Sequence, residues 1–404
     1  MVSTTPAPIK IPRSIWLRET EIGPLPTDWR VEPVERFATI ATGGRNTQDR
    51  VDDGLYPFFV RSQTVEHINT YSFDGEAVLT AGDGVGTGKI FHYIKGKCDI
   101  HQRVYRVSDF RSDVSGYYFY LFFSANFYAR IMQMTAKSSV DSVRREMISQ
   151  MLIALPPKEE QAAIAEALLD ADALVEALES LIAKKGAVKR GAMQELLSGR
   201  RRLTGFGAKW ELVRLSDIAD IRSGGTPSTA RPDFWDGHVP WCTPTDITAL
   251  EGAKYLRDTR RKITDSGLKA SSAEWVPAGS VVMTSRATIG ECAINVLPMT
   301  TNQGFKNLVP RAEIDVEFLY YFMTTQKERL VALCGGSTFL EIGKTQLTSF
   351  EIRIPGTKAE QVAISTILAE MDSELQALTV RLTKARQIKQ GMMQALLTGQ
   401  VRLV

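Results

Sequence analysis

The sequence predicts an α/β (mixed α+β) protein made of two globular units, each followed by a long helix. The two helices are expected to pair as an antiparallel coiled coil with pseudo-twofold symmetry. Three observations lead there. Residues 158–203 align with 358–403 at a constant offset of 200 without a gap, and 19 of the 46 positions are identical. Residues 28–44 align more weakly with 209–225 at an offset of 181, pairing Trp29 with Trp210, Ala38 with Ala219, Ile40 with Ile221 and Gly43-Gly44 with Gly224-Gly225. Apolar residues in the longer repeat step by threes and fours, the 3.5-residue period of a coiled-coil seam. The domains are read as 1–157, 158–203, 204–355 and 356–404.

In the first unit "YPFFV" (56–60), "EAVLT" (76–80), "KIFHYI" (89–94) and "RVYRV" (103–107) read as strands, rich in β-branched and aromatic residues and separated by Gly and Asp turns. "GYYFYLFFSANFYARIMQM" (116–134) reads as a buried helix and "MLIALP" as a closing strand. Pro156-Pro157 stops that strand. The first long helix follows, with apolar residues at Ile164, Leu168, Ala171, Val175, Leu178, Ile182, Ala192 and Leu196, broken by Lys185 and Lys189. The second unit repeats the order with "VPWCTP", "SVVMTS" (280–285), "GECAINV" (290–296), the helix "VEFLYYFMTTQKERLVALC" (316–334) and "FEIRIP" (350–355). After Pro355-Gly356 the second long helix carries Ile364, Leu368, Met371, Leu375, Leu378, Leu382, Ala385, Met392 and Leu396, with Lys389 interrupting.

Each helix of about 40 residues is about 60 Å long at 1.5 Å per residue. One apolar stripe of that length needs a partner, and the chain supplies two such stripes. Gly199 and Gly399 stand where a C-terminal cap glycine would. Gly191 and Gly391 lower helix propensity, and their shared position predicts either a close backbone approach or a kink. Charge is lopsided. From Lys184 to Arg202 seven basic residues stand against Glu195 alone, and from Leu375 onward no acid offsets Arg381, Lys384, Arg386, Lys389 and Arg402. A solvated face would explain one such run; the matched pair points to a phosphate-facing surface or an acidic partner.

Composition excludes several classes. The chain is 44% hydrophobic and 24% charged, near the average for a globular protein, with a net charge of +3. Its apolar stretches are cut by charge well before 18 residues, and "MVSTTPAPIKIPRSIW" lacks the apolar centre of a signal peptide, so no membrane association and a cytoplasmic location are expected. Cys98, Cys242, Cys292 and Cys334 form no C-x-x-C pair, and His67, His92, His101 and His238 are not at ligand spacing, so no metal site is expected. "GDGVGTGK" (82–89) has Asp83 where a phosphate-binding loop needs its first Gly, and it lies between strands, so it reads as a hairpin loop. Pro156-Pro157-Lys158 leads into a helix and does not fit the catalytic turn of an amino-group methyltransferase. Asp49, Asp52 and Asp53 read as a solvated turn. No catalytic residue is assigned.

What remains are polar and basic residues in the loops. The first unit offers Arg61, Ser62, Gln63, Lys89, His101, Gln102, Arg103 and Lys137; the second offers Thr243, Thr245, Asp246, Ser285, Arg286, Asn302, Gln303, Lys306, Ser337 and Lys344. Arg, Gln, Asn, Ser and Thr are the side chains that read base edges, and Lys and Arg those that hold phosphate. Singly each is ordinary loop polarity; their recurrence at corresponding places in both units makes them the expected DNA-binding set.

"PPKEEQAAI…KRGAMQELLSGRRRL" and "KAEQVAI…KQGMMQALLTGQVRL" resemble the two helical regions of the specificity subunit of type I restriction–modification systems. "ETEIGPLPTDW" (19–29), "TAGDGVGTGKI" (80–90) and "TTNQGFKNLVP" (300–310) are similar to segments of that family's target-recognition domains. The second copy departs slightly, with Gly-Thr-Lys-Ala-Glu-Gln where the first has Pro-Pro-Lys-Glu-Glu-Gln. The resemblance implies a non-catalytic subunit whose two domains each read half of a bipartite double-stranded DNA target. It implies that the paired helices, through Ile164, Leu168, Val175, Leu178, Ile182, Leu196, Ile364, Leu368, Leu375, Leu378, Leu382 and Leu396, pair and dock modification (methyltransferase) subunits, with restriction (translocase-nuclease) subunits outside. S-adenosylmethionine, ATP and Mg²⁺ would then belong to those partners. Alike helices with unlike globular units imply an asymmetric gapped target. The rival reading is a coiled-coil scaffold with two protein-interaction domains and no DNA; a steep salt dependence of DNA affinity separates the two.

Overall fold

The fold is that of a computed structural model, which describes residues 16–134, 142–334 and 340–403. The chain divides into two compact units: Met1–Glu179 with Arg381–Val404, and Ser180–Val380. Each unit therefore holds a globular domain, the head of the long helix that follows it, and the tail of the other long helix.

The first unit opens with β1 (Leu17–Arg18), β2 (Leu25–Pro26), β3 (Arg30–Pro33) and β4 (Thr39–Thr42). Then come β5 (Tyr56–Phe59), β6 (Glu66–Ile68), β7 (Phe73–Ala81), β8 (Phe91–Ile100) and β9 (Val104–Ser108). They are followed by α1 (Gly116–Gln133), α2 (Arg145–Ser149), β10 (Leu152–Leu155) and the long α3 (Lys158–Leu196). Six strands form one sheet in the order β4-β9-β7-β8-β5-β6, with β5 and β8 parallel and the other pairs antiparallel. Helix α1 starts at Ser115, whose hydroxyl accepts from the Tyr118 amide, and stacks Phe119, Phe123 and Phe127 against the sheet's buried face.

The second unit contains β11 (Glu211–Arg214), α4 (Leu215–Ile218), β12 (Ala219–Ser223), β13 (Trp235–Cys242), α5 (Pro244–Thr248), β14 (Tyr255–Leu256) and β15 (Arg261–Ile263). It continues with α6 (Asp265–Lys269), β16 (Ser280–Thr284), β17 (Cys292–Asn295), β18 (Thr300–Thr301) and β19 (Phe305–Pro310). It closes with α7 (Val316–Thr324), α8 (Lys327–Ala332), α9 (Lys344–Thr348), β20 (Glu351–Ile354) and α10 (Lys358–Leu397). Its sheets run β12-β19-β16-β17-β14 and β15-β13-β18.

The 316–334 stretch, expected as one helix, is two. Thr324 and Thr325 turn their hydroxyls back onto the carbonyls of Tyr321 and Phe322, competing with the helical ladder where α7 ends. The 82–89 segment links the antiparallel strands β7 and β8, as a hairpin loop should. No described helix is long and apolar enough to cross a membrane.

Within each unit the helix segments pack antiparallel. In the first, Glu179 meets Arg386, Asp172 meets Lys389 and Glu160 meets Arg402. In the second, Glu374 meets Lys185, Asp372 meets Lys189 and Glu360 meets Arg202. Three of the basic residues of each biased tail thus pair with acids on the head of the other helix, so the bias is in part internal complementarity. An added Cβ at Gly191 or Gly391 would meet nothing within 4 Å, so no close backbone approach requires either glycine.

Candidate nucleic-acid interface

The helix segments are fastened to their globular domains by matching clasps. Glu160 has no exposed side-chain surface; it accepts from Trp29 Nε1 at 3.1 Å and from Arg402 Nε and Nη2 at 2.6 and 2.7 Å. Arg402 also grips Asp28 at 2.7 and 3.0 Å, and that hydrogen bonding holds the Asp28 carboxyl below its usual range. In the second unit Glu360 accepts from Trp210 at 3.2 Å and from Arg202 at 2.6 and 2.8 Å. Gln161 and Gln361 accept from the Ser115 and Asp315 amides, and Lys158 and Lys358 donate to the Ser112 and Ala312 carbonyls. Nothing local in sequence shows that these residues bond, although Trp29/Trp210, Glu160/Glu360 and Arg202/Arg402 are all identical between copies.

Of the helix residues named from the sequence, Ile164, Leu168, Leu178, Leu196, Ile364, Leu368, Leu378, Leu382 and Leu396 are buried, while Val175, Ile182 and Leu375 are half-buried. Ile164, Leu168 and Leu396 join the core of the first globular domain, and Leu196, Ile364 and Leu368 that of the second. These six therefore tie the helices to the domains, beyond pairing helix with helix.

The loops of the first unit converge on an open cleft of about 630 Å³ lined by Asn46, Thr47, Gln48, Arg61, Asp83, His101, Gln102 and Arg103. Arg61 Nη1 lies 2.8 Å from Asp83 Oδ1, and Arg103 Nη1 3.4 Å from Asp83 Oδ2. Gln102 donates to Asn46 Oδ1 at 2.5 Å. His101 accepts from the Arg103 amide through Nδ1; burial first, then the Arg61 cation, lowers its pKa. Gln63 is exposed and does not line the cleft, while the Ser62 hydroxyl is turned to the Thr64 carbonyl. Lys89 lies 4.5 Å over the Tyr128 ring, on helix α1. Lys137 lies outside the described residues.

In the second unit the corresponding loops hold Arg286, whose Nη2 is 2.9 Å from Glu341 Oε1, with Lys306 Nζ 4.0 Å from the same oxygen. The Lys306 side chain is only 7% exposed, and burial lowers its pKa. Asn302 Oδ1 accepts from the Gly304 amide, and Gln303, exposed, accepts from the Thr226 hydroxyl. Thr245 and Lys344 are exposed. Three expectations need correction as direct base or phosphate contacts. Asp246 is buried at 5% exposure and accepts from the amide and hydroxyl of Thr243 and from the Arg260 amide, so Thr243 and Asp246 form the N-terminal cap of α5. Ser285 is fully buried, its amide donating to the Gly304 carbonyl. Ser337 lies outside the described residues.

The backbone makes the two loop sets equivalent. Gly82 and Ser285 amides donate to Arg103 and Gly304 carbonyls at 2.8 and 2.7 Å, and their own carbonyls accept from Val143 and Ile342. Asp83 bridges Ser142 as Arg286 bridges Glu341. His101 and Asn302 amides donate to Phe59 and Cys242, at the ends of β5 and β13. The repeated Gly43 and Gly224 stand where a Cβ would collide with the Ile100 and Asn302 carbonyls. The frame is shared and the side chains are not: Asp83 stands for Arg286, His101 for Asn302, Arg103 for Gly304, and only Gln102 and Gln303 agree.

Two stretches, residues 26–184 and 208–386, match the family model described as the type I restriction modification DNA specificity domain. The chain belongs to that family. Residues of this chain are 39% identical over 165 positions to the type I restriction enzyme MjaIX specificity subunit of Methanocaldococcus jannaschii, a match covering 40% of this chain and 38% of that one. Against the EcoR124I/EcoR124II specificity subunit of Escherichia coli the identity is 28% over 187 residues, 45% of each chain. The chain thus spans less than half the length of these two curated relatives in either match. The fold resembles the crystal structure of the type I restriction-modification S subunit from M. genitalium, with a TM-score of 0.59, 16% identity, and coverage of 91% of this chain and 96% of that one. Among the described residues no group of three or more His, Cys, Asp or Glu side chains could hold a metal ion.

Proposed function

We propose that this chain is the sequence-specificity subunit of a type I restriction–modification complex and reads double-stranded DNA. Each globular domain reads one half of an asymmetric, gapped target, and the long helices set the spacing and dock modification subunits, with restriction subunits outside them. The chain itself is non-catalytic in this reading; S-adenosylmethionine, ATP and Mg²⁺ belong to the partner subunits. The observation that carries the reading is the equivalence just described: one backbone frame, used twice, presents different hydrogen-bonding side chains at corresponding loop positions. Base edges are told apart by donor and acceptor pattern, so unlike loops on like frames suit unlike half-sites. The contacts assigned to DNA are Arg61, Gln63, His101, Gln102 and Arg103 in one unit and Thr245, Arg286, Asn302, Gln303 and Lys344 in the other.

Arg61→Ala is the direct test. A bidentate arginine contact is worth about 1–3 kcal/mol of base discrimination, so the variant relaxes recognition at one half-site and leaves the other intact. Equal weakening on every sequence would move Arg61 to the phosphates.

A further inference from the structure

Each unit places one carboxylate between two cations at the loop face. In the first, Asp83 takes Arg61 on Oδ1 at 2.8 Å and faces Arg103 through Oδ2 at 3.4 Å. In the second the positions are exchanged: the arginine, Arg286, stands at the strand end and the acid, Glu341, on the opposing segment, 2.9 Å from Arg286 and 4.0 Å from Lys306. Two different sequences thus arrive at the same charge arrangement. Each acid stands at a backbone bridge, Asp83 to Ser142 and Glu341 to Arg286.

A bare pair of cations in a DNA groove takes the strongest acceptor within reach, which is phosphate, and phosphate carries no sequence information. A fixed carboxylate changes the contest. It repels an approaching phosphodiester, which carries a full negative charge, far more than the uncharged O6 and N7 acceptors of a guanine edge. We propose that Asp83 and Glu341 are specificity-determining residues that bar phosphate from Arg61, Arg103 and Arg286 and reserve those arginines for uncharged base edges, guanine foremost. The inference rests on the DNA-reading function above.

The test uses the full-length chain, with any subunits that purify with it, and compares D83N and E341Q with the parent on target and unrelated duplexes across a salt series. D83N is expected to tighten binding to unrelated duplex about fivefold, the factor one like-charge contact near 4 Å carries in water. It should steepen the salt slope by about 0.9 for each phosphate recruited, and change target affinity by less. Discrimination then falls at one half-site, and E341Q does the same at the other. Unrelated-duplex affinity and slope unchanged in D83N overturn the proposal. So does a new preferred base at one position with the slope unchanged, which would make Asp83 a base reader. D83S, with thermal unfolding measured alongside, replaces D83N if the latter is misfolded. A parent chain with no salt-dependent duplex affinity removes the DNA-reading function itself, and this inference with it, and is recognised before any variant is compared.

Discussion

Arg402 lies 242 residues from Glu160 in sequence, yet their contact closes the first unit. The arginine side chain is 11% exposed and the carboxylate not at all, so truncating one leaves the other buried and unpaired. Arg402→Ala should cost about 3–5 kcal/mol, the usual penalty for breaking a buried pair. Arg402→Lys should recover only part of it, because an ammonium cannot span both oxygens and Asp28 together. Urea unfolding of the full chain measures both, and a loss under about 1 kcal/mol for Arg402→Ala would place the pair with ordinary surface bridges. The repeat marked Trp29, Glu160 and Arg402 by identity, but nothing local shows that they bond: Trp29 is 131 residues from Glu160. Asp83 was hidden in another way. In sequence it marks only a failed phosphate loop, and its contacts with Arg61 and Arg103 exist only in the fold.

At the scale of the element, Gly199 and Gly399 differ in kind from Gly191 and Gly391. Gly199 and Gly399 have φ of +71° and +66°, and an added Cβ would press on Trp210 or collide with Pro26. Gly399→Ala should therefore destabilise by at least the roughly 1–2 kcal/mol of left-handed backbone strain. Gly391→Ala, mid-helix with open space around it, should stabilise by up to about 1 kcal/mol. Thermal unfolding of the pair checks the sign; stabilisation by both would contradict the cap assignment. The periodicity and caps of the two long helices were legible from sequence because they are local. The break at Thr325 was not, because the apolar pattern runs straight through it and only the hydroxyl bonds mark the stop.

For the whole molecule, the duplication of the helices is legible residue by residue in sequence, that of the recognition loops only in outline. Corresponding loop positions are offset by 203 at Gly82/Ser285, by 201 at His101/Asn302 and by 199 at Ser142/Glu341. No ungapped alignment could join them; the hydrogen-bonded frame does. Thr243 and Asp246 have the polarity of base readers in sequence, and only the fold shows them capping α5. If the helices set the gap, deleting two turns from both copies should shorten the preferred spacer, and an unchanged spacer in a selection from random duplexes would refute the ruler. The central claim is that two unlike domains on one repeated frame read two unlike half-sites. Methylated-base mapping of the host genome with and without this chain tests it most directly. The chain is expected to direct methylation to an asymmetric target with a fixed gap between two different half-sites; a palindromic target, or a methylation pattern indifferent to the chain, would contradict that reading.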